Sequence, residues 1–497
     1  MSRSGWRSPP GRAVVTPESG SPHGGDDGTP PQDFVRPSLP TLFLAIVPPL
    51  FMGISDQTIV STALPSIIQS LGGFDRMALV VIAYLAAVTI SAPLYGRLGD
   101  ALGRRRMMCV ALCMAVLGSA FCSLSFNFEM LVASRFLQGL GGGGLIGLAQ
   151  ALLGQYVGPR ARAKYQGYLA TIAMVASTFG PVAGGLITGH FGWRWIFALN
   201  IPLGILAFVL VMRLPPRQTP REKIAFDYPG FLLFAGFVAT ALTIIETVKR
   251  GAAVHSTLFL LAAIAGAILM LLVLRERRAA EPLFPGDLLG RPSIFFSMLL
   301  AMCHGGLYVS LLTFIPIYFA LGHDVPPREL GLLMLPVTLG IGSGAFVTGK
   351  LINRTGRTTL FPAISLSLAS ALLFLASVGI ETLSPWQASI YFAIVCFLLG
   401  SVMGVVQITV QTEAGIKRLG IATASVVLSR SLGAASGTAF AGLALALTLD
   451  LPAGASATSA DISVEMLQSG FHNVFRLVGC IAAAGAAMAF VIPRRRI

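Results

Sequence analysis

The sequence predicts an all-α polytopic membrane protein made of two related six-helix halves with an extra helical hairpin between them. Three observations lead there. Of 497 residues, 55% are hydrophobic and only 11% charged, with a mean hydropathy of +0.78. A soluble domain carries about a quarter charged residues. A short basic turn, Gly96-Arg97-Leu98-Gly99-Asp100-Ala101-Leu102-Gly103-Arg104-Arg105-Arg106, lies between two apolar runs, and Gly349-Lys350-Leu351-Ile352-Asn353-Arg354-Thr355-Gly356-Arg357 repeats its spacing. Internal repeats of this kind mark secondary transporters. Finally, the basic residues alternate by connection.

Apolar runs lie at 41–67, 77–96, 107–125, 130–153, 166–189, 195–212, 230–248, 256–274, 293–319, 330–349, 360–379, 387–411, 421–447 and 472–492. Each suits a bilayer crossing of roughly 20 residues, giving about fourteen spans. With the connections numbered alternately, about 27 of the 35 Lys and Arg fall on one side and about six on the other. The positive-inside rule puts that side, with both termini, in the cytoplasm of a multi-pass plasma membrane protein. The net charge of +14 is then topogenic, and a nucleic-acid partner is not expected.

The elements follow in order. Residues 1–38, rich in Gly, Pro, Ser and Arg, are expected to be a disordered cytoplasmic tail without a cleavable signal. The first turn joins spans 2 and 3 and its copy joins spans 10 and 11. Spans 1–6 (39–214) and 9–14 (281–497) therefore form the halves. Residues 215–280 supply a polar, Pro-bearing linker and the extra hairpin, spans 7 and 8. Cys109, Cys113, Cys122, Cys303, Cys396 and Cys480 lie in apolar spans without ligand spacing and read as small buried hydrophobes. No metal or cofactor is expected.

Charges inside a bilayer cost roughly 2.5–3.5 kcal/mol even on the mildest scale, so they face a cavity, pair or titrate. Asp56 lies near the middle of span 1 and Arg135 in the outer half of span 4. A carboxylate near an Arg stays ionised, and one moved away takes a proton, which is what proton coupling needs. A static ion pair locking the fold is the other reading. Arg430 in span 13 is deep, and a structural pair is as good a reading as a substrate contact. Glu246 reads as an interface residue of the hairpin, and Glu413 as a cap of span 12. Glu129 opens span 4, where a helix N-terminus favours an acid. His304 reads as a hydrogen-bonded core group, and Tyr308, Phe314 and Tyr318 as core. Gly141 to Gly144 suggest a locally softer span 4, since each interior Gly costs about 1 kcal/mol against Ala.

Gly344-Ala345-Phe346-Val347-Thr348-Gly349-Lys350-Leu351 nearly spells a phosphate loop, but Leu351 replaces the magnesium-binding Ser or Thr and the stretch is apolar. ATP hydrolysis is not expected, and nothing resembles a catalytic constellation. The chain does not read as an enzyme.

These residues together resemble the major facilitator superfamily, specifically its fourteen-span drug:proton antiporters, over nearly all of 40–492. The turn at 96–106 is similar to motif A, with Ala101 where the family carries a basic residue. Asp56-Gln57-Thr58-Ile59-Val60 with Ala63-Leu64-Pro65 is similar to the span 1 signature. Arg135-Phe136-Leu137-Gln138-Gly139 resembles motif B. Gly180-Pro181-Val182-Ala183-Gly184-Gly185 resembles motif C, which marks exporters. Trp193 to Phe197 with Asn200, Asp227 to Gly230, Gln411, and Arg430 to Gly433 fit later signatures.

The resemblance implies the major facilitator fold and a monomeric, proton-coupled exporter of lipophilic small molecules, cationic ones included, working by alternating access. Asp56 and Arg135 would line the central cavity and serve coupling. Gly96, Asp100, Gly103 and Arg104 would form a cytoplasmic gate, and Gly180, Pro181, Gly184 and Gly185 an antiporter hinge. Gln138, Gln411 and Arg430 would offer polar cavity groups. An exporter of an endogenous lipid, siderophore or metabolite is the alternative, an importer is disfavoured by motif C, and a non-transport sensor is a further reading.

Overall fold

The computed structural model describes residues 38–156, 159–215, 227–248, 255–278, 290–355, 360–415, 419–449 and 464–492. The tail, most of the 215–230 linker, Gly356, Arg357 and the Arg494–Arg496 cluster lie outside the described residues. The described chain forms helices throughout. They are α1 (Leu39–Leu71), α2 (Ala78–Leu102), α3 (Arg104–Ser123), α4 (Phe128–Tyr156), α5 (Pro159–Phe191), α6 (Arg194–Met212), α7 (Tyr228–Val248), α8 (His255–Arg278), α9 (Pro292–Gly322), α10 (Pro327–Thr355), α11 (Leu360–Gly379), α12 (Pro385–Ala414), α13 (Leu419–Thr448) and α14 (Val464–Val491). Thirteen contain spans long and apolar enough to cross a membrane, and α7 contributes a shorter apolar helix at Tyr228–Ala241.

Local chemistry sets the ends. The Ser38 side chain accepts the Thr41 amide at the start of α1. Ser384 and Gln387 form a reciprocal cap on α12, with Pro385 at its first position. The basic turn is tighter than its sequence suggests. Gly96 to Leu102 finish α2, and the reversal falls on Gly103 alone, at φ 98°, before α3 starts at Arg104. Only glycine takes that backbone without strain. The near phosphate loop lies within α10.

Packing repeats from one half to the other. In the first half α2 and α3 pack on α4, α1 on α5, and α3 on α6. In the second, α10 and α11 pack on α12, α9 on α13, and α11 on α14. Between halves α1 meets α9, while α2 meets α13 and α5 meets α10, the last two being equivalent seams of the repeat. The hairpin α7–α8 lies against α2 and α13.

Gly141 to Gly144 lie inside α4, which runs unbroken. They are surfaces for close packing. A Cβ on Gly141 would lie 2.8 Å from the Ala115 Cα of α3, and one on Gly143 would lie 2.7 Å from the Val88 carbonyl of α2. The cysteines are unpaired; Cys109, Cys122 and Cys396 are buried, whereas Cys113 and Cys480 are exposed.

Candidate functional site

Two ends of the bundle differ. One, the arginine face, carries Arg97, Arg104–Arg106, Arg275–Arg278 and Arg354. The distal face carries the α1–α2, α5–α6 and α9–α10 connections. At the distal face the halves are in contact. A Cβ on Gly185 of α5 would lie 2.6 Å from the Gly331 nitrogen of α10 and 2.8 Å from the Pro327 carbonyl. Phe74, Met77 and Ala78 come together with Gly442, Leu445 and Leu449. At the arginine face, the Arg104–Ala151, Arg105–Met212 and Arg291–Glu413 contacts each stay within one half, and Tyr156 donates to Pro215 at the start of the linker. Asp100 pairs with Arg104 at 2.8 Å in its own turn. Gly96 and Gly103 stand beside it in open space.

Inside the first half lies a closed polar network. Asp56 of α1 and Arg135 of α4 are 3% and 1% exposed. Arg135 Nη1 lies 3.4 Å from Asp56 Oδ2 and donates to Gln138 Oε1 at 2.6 Å; its Nε donates to the Val80 carbonyl at 3.2 Å. Asn200 of α6 donates to Asp56 Oδ1 at 2.9 Å, and Gln138 Nε2 donates to Ser119 Oγ of α3 at 2.8 Å. The guanidinium also sits 4.2 Å from the Tyr84 ring centroid of α2. Every named partner belongs to α1, α2, α3, α4 or α6. Asp56, Arg135 and Gln138 therefore do not line an open cavity here. Five helices converge over them, and that convergence is what satisfies two buried charges. Asn200, Ser119 and Tyr84 were given no role by sequence; a lone Asn in an apolar run is the one signal that pointed to any of them.

The opposite face of α1 meets the Gly-Pro segment of α5. Gly180 abuts Thr58, and Gly184 abuts Ile59 and Thr62. Thr62 Oγ1 donates to the Pro181 carbonyl at 3.1 Å, a hydrogen bond from α1 to the backbone of α5. One turn on, Gly185 reaches across to Gly331. A single helix, α1, thus joins the Asp56 network to the seam between halves. Gly331 and Thr62 were not singled out by sequence, because an unremarkable Gly or Thr carries no local mark of what packs on it.

The remaining candidates lie apart from this network. Arg430 is on α13 against α9, where the Cβ of Gly305 would meet the Arg430 carbonyl. His304 is buried, but its Nδ1 has no hydrogen-bond partner among the described residues, so the expected core hydrogen bond is missing there. Tyr308, Phe314 and Tyr318 are buried as expected. Gln411 and Glu413 end α12 on the arginine face, where the Glu413 carbonyl accepts from Arg291. Glu129 pairs with Arg76 at 3.2 Å. The side chain of Glu246 lies outside the described residues. Among those residues no group of three or more His, Cys, Asp or Glu is placed to hold a metal.

Comparison with known proteins places this architecture. An MFS-type transporter of Mycobacterium tuberculosis is 33% identical over 431 residues, 86% of this chain; the chain spans only 62% of that relative's length. The multidrug transporter protein MdtP of Bacillus subtilis is 29% identical over 402 residues, covering 81% of this chain and 74% of the relative. A bacterial homologue of the human lysosomal transporter Spinster, solved inward-facing and occupied, superposes with a TM-score of 0.64 at 16% identity, over 92% of this chain and 97% of that one. At that identity the likeness speaks for the fold. The family model described as Major Facilitator Superfamily matches residues 50–438, and the chain belongs to that superfamily of membrane transporters.

Proposed function

We propose that this transporter is a proton-coupled exporter of lipophilic small molecules, in the manner of a multidrug efflux protein, and that Asp56 is its proton-carrying group. The carrying observation is the buried Asp56–Arg135 pair with Asn200 on its other oxygen, placed on the helix that also holds the Gly180–Gly185 seam. The names of relatives such as MdtP support the substrate class.

The arginine face is the cytoplasmic one on this reading, both termini lie inside, and the protein works as a monomer in the plasma membrane, the inner membrane of a bacterium. Contact at the distal face then makes the arrangement inward-facing. A proton on Asp56 removes the charge that Arg135 faces, and Arg135 keeps Gln138 and Val80 as partners. α1 is then free to shift against α5, and Gly180 and Gly184 let it slide without side-chain obstruction. Separation of Gly185 from Gly331 opens the outer side. Asp100 and Arg104 would close the inner side in that state. One proton moving through roughly 150 mV supplies about 3.5 kcal/mol, a concentration ratio of a few hundred.

The test is transport in everted vesicles with ethidium as substrate and a pH-sensitive dye. Addition of substrate should release protons from wild-type vesicles, and Asp56→Asn should do neither while inserting normally. Ethidium extrusion against its gradient by Asp56→Asn, with proton movement, overturns the assignment.

A further inference from the structure

The two equivalent seams between the halves are finished differently. Over the α2/α13 seam lies the hairpin: Phe234, Val238 and Leu272 bury against Ala86 and Leu428, with Ile90 and Leu432 at the margin. At the α5/α10 seam the surface instead holds an apolar groove of about 690 Å³. Met174 of α5, Leu339 and Phe346 of α10, and Ile394 and Phe397 of α12 line it. The size suits a drug-sized ligand. The groove lies at mid-span, and Phe346 is 63% exposed, so its walls belong to the hydrocarbon layer. Met174 closes its floor over Gly342, where a Cβ would come within 2.6 Å of the sulfur.

α5 connects this groove to polar groups. Ser177, one turn beyond Met174 on the same side of the helix, approaches the Tyr308 hydroxyl of α9. The Tyr308 ring stacks on His304 with centroids 6.0 Å apart. Tyr308 Oη and His304 Nδ1 are buried, and neither has a hydrogen bond of normal geometry among the described residues. Arg430 is packed on the same turn of α9, its carbonyl against Gly305, the residue after His304. Among the described residues no carboxylate is paired with Arg430, in contrast to Arg135. A fixed cation, a hydroxyl and an imidazole meet within the membrane, and the group missing among them is an anion.

We infer that the α5/α10 seam is a binding site for an anionic amphiphile entering sideways from the bilayer. The hydrocarbon part occupies the groove, and a carboxylate or similar head reaches Arg430, with Tyr308 donating and His304 beside it. The hairpin makes entry one-sided by covering the other seam. The direction of transport rests on the export reading above, whereas binding does not. The site adds lipophilic acids to the expected substrates.

The test is equilibrium binding of pyrenedodecanoate and its uncharged counterpart pyrenedodecanol to the full chain in phosphatidylcholine nanodiscs, without any gradient. Wild type should bind the acid more tightly than the alcohol. Arg430→Gln should weaken the acid about tenfold and the alcohol less than about twofold, with Arg430→Lys retaining most acid binding. Tyr308→Phe, which keeps the ring, should weaken the acid about threefold if Arg430→Gln does not fold. Ile394→Trp, filling the groove, should weaken both probes, and Leu269→Trp on the lipid side of α8 neither. Equal acid affinity in wild type and the Arg430 or Tyr308 variants overturns the head site. Unchanged binding in Ile394→Trp overturns the groove. Asp56→Asn should bind normally, so a failed coupling test and a failed binding test point to different errors.

Discussion

The two halves share one helical scaffold and treat an intramembrane cation in opposite ways. In the first half, Arg135 is enclosed by Asp56, Gln138, the Val80 carbonyl and the Tyr84 ring, all drawn from its own six helices. In the second, Arg430 lies between α13 and α9 with a stacked His304–Tyr308 pair and no carboxylate among the described residues. The first arrangement finds its partners within its own half. The second is incomplete and awaits something from outside. On the proposed reading the repeat supplies a scaffold, and side-chain chemistry divides coupling from recognition between its copies.

The sharpest way to break this comparison is to remove each cation in turn. Arg135→Ala strands the Asp56 carboxylate in a dry interior and should cost roughly 3–5 kcal/mol, seen as a large fall in the unfolding temperature of the purified protein. Adding Asp56→Asn to it should restore much of that stability without restoring transport. Arg430→Gln strands no partner and should change stability by less than about 1 kcal/mol. Equal losses from both arginines would erase the distinction.

Next in size is the effect on coupling. Asp56→Asn, which mimics the protonated form at all times, should abolish proton-driven efflux of ethidium. Asp56→Glu should keep part of it, because it retains a titratable carboxyl one methylene away. Neither change in the first half should alter the preference for acid over alcohol set by Arg430.

The seam between halves comes third. Gly331→Leu places a side chain against the Val182 and Pro181 carbonyls, which a Cβ would already meet at 2.8 and 3.1 Å. It should hold the distal face apart and lower transport about tenfold, with raised labelling, from outside, of a cysteine placed at Ala78. Labelling unchanged from wild type would exclude Gly331 from the closed contact. The smallest effect is that of Asp100→Asn. Its partner Arg104 is in the same half-exposed turn, so stability should move by less than about 0.5 kcal/mol. Transport should still fall severalfold as the inner gate loses its acid. Unaltered transport would reduce the turn to a topogenic signal.

The charged members of the site were legible because a bilayer leaves so few places for charge. Asp56, Arg135 and Arg430 stand out in apolar runs on that ground alone. Which of them meet was not legible. The 79 residues between Asp56 and Arg135, and the 144 between Asp56 and Asn200, are bridged only by how α1, α4 and α6 converge. The spans were found by hydropathy, but their ends moved where a helix continues through polar residues, as α2 does to Leu102. The sequence shows the glycine run of α4 only as low helix propensity, which is measured in water on isolated helices. Inside a bundle the same residues are the places where backbones touch.

The contact of Gly185 with Gly331 and Pro327 sets a limit on how the two halves can move. Backbone meets backbone there, and no side chain at either glycine must choose a new rotamer when the surfaces part. Ordering a side chain costs up to about 2 kcal/mol in entropy, and this contact escapes that cost in both directions. It behaves as a plain bearing, with neither a catch to release nor a spring to load. The rate of its opening should then depend weakly on the protein's own friction and mainly on the viscosity of the lipid around α5 and α10.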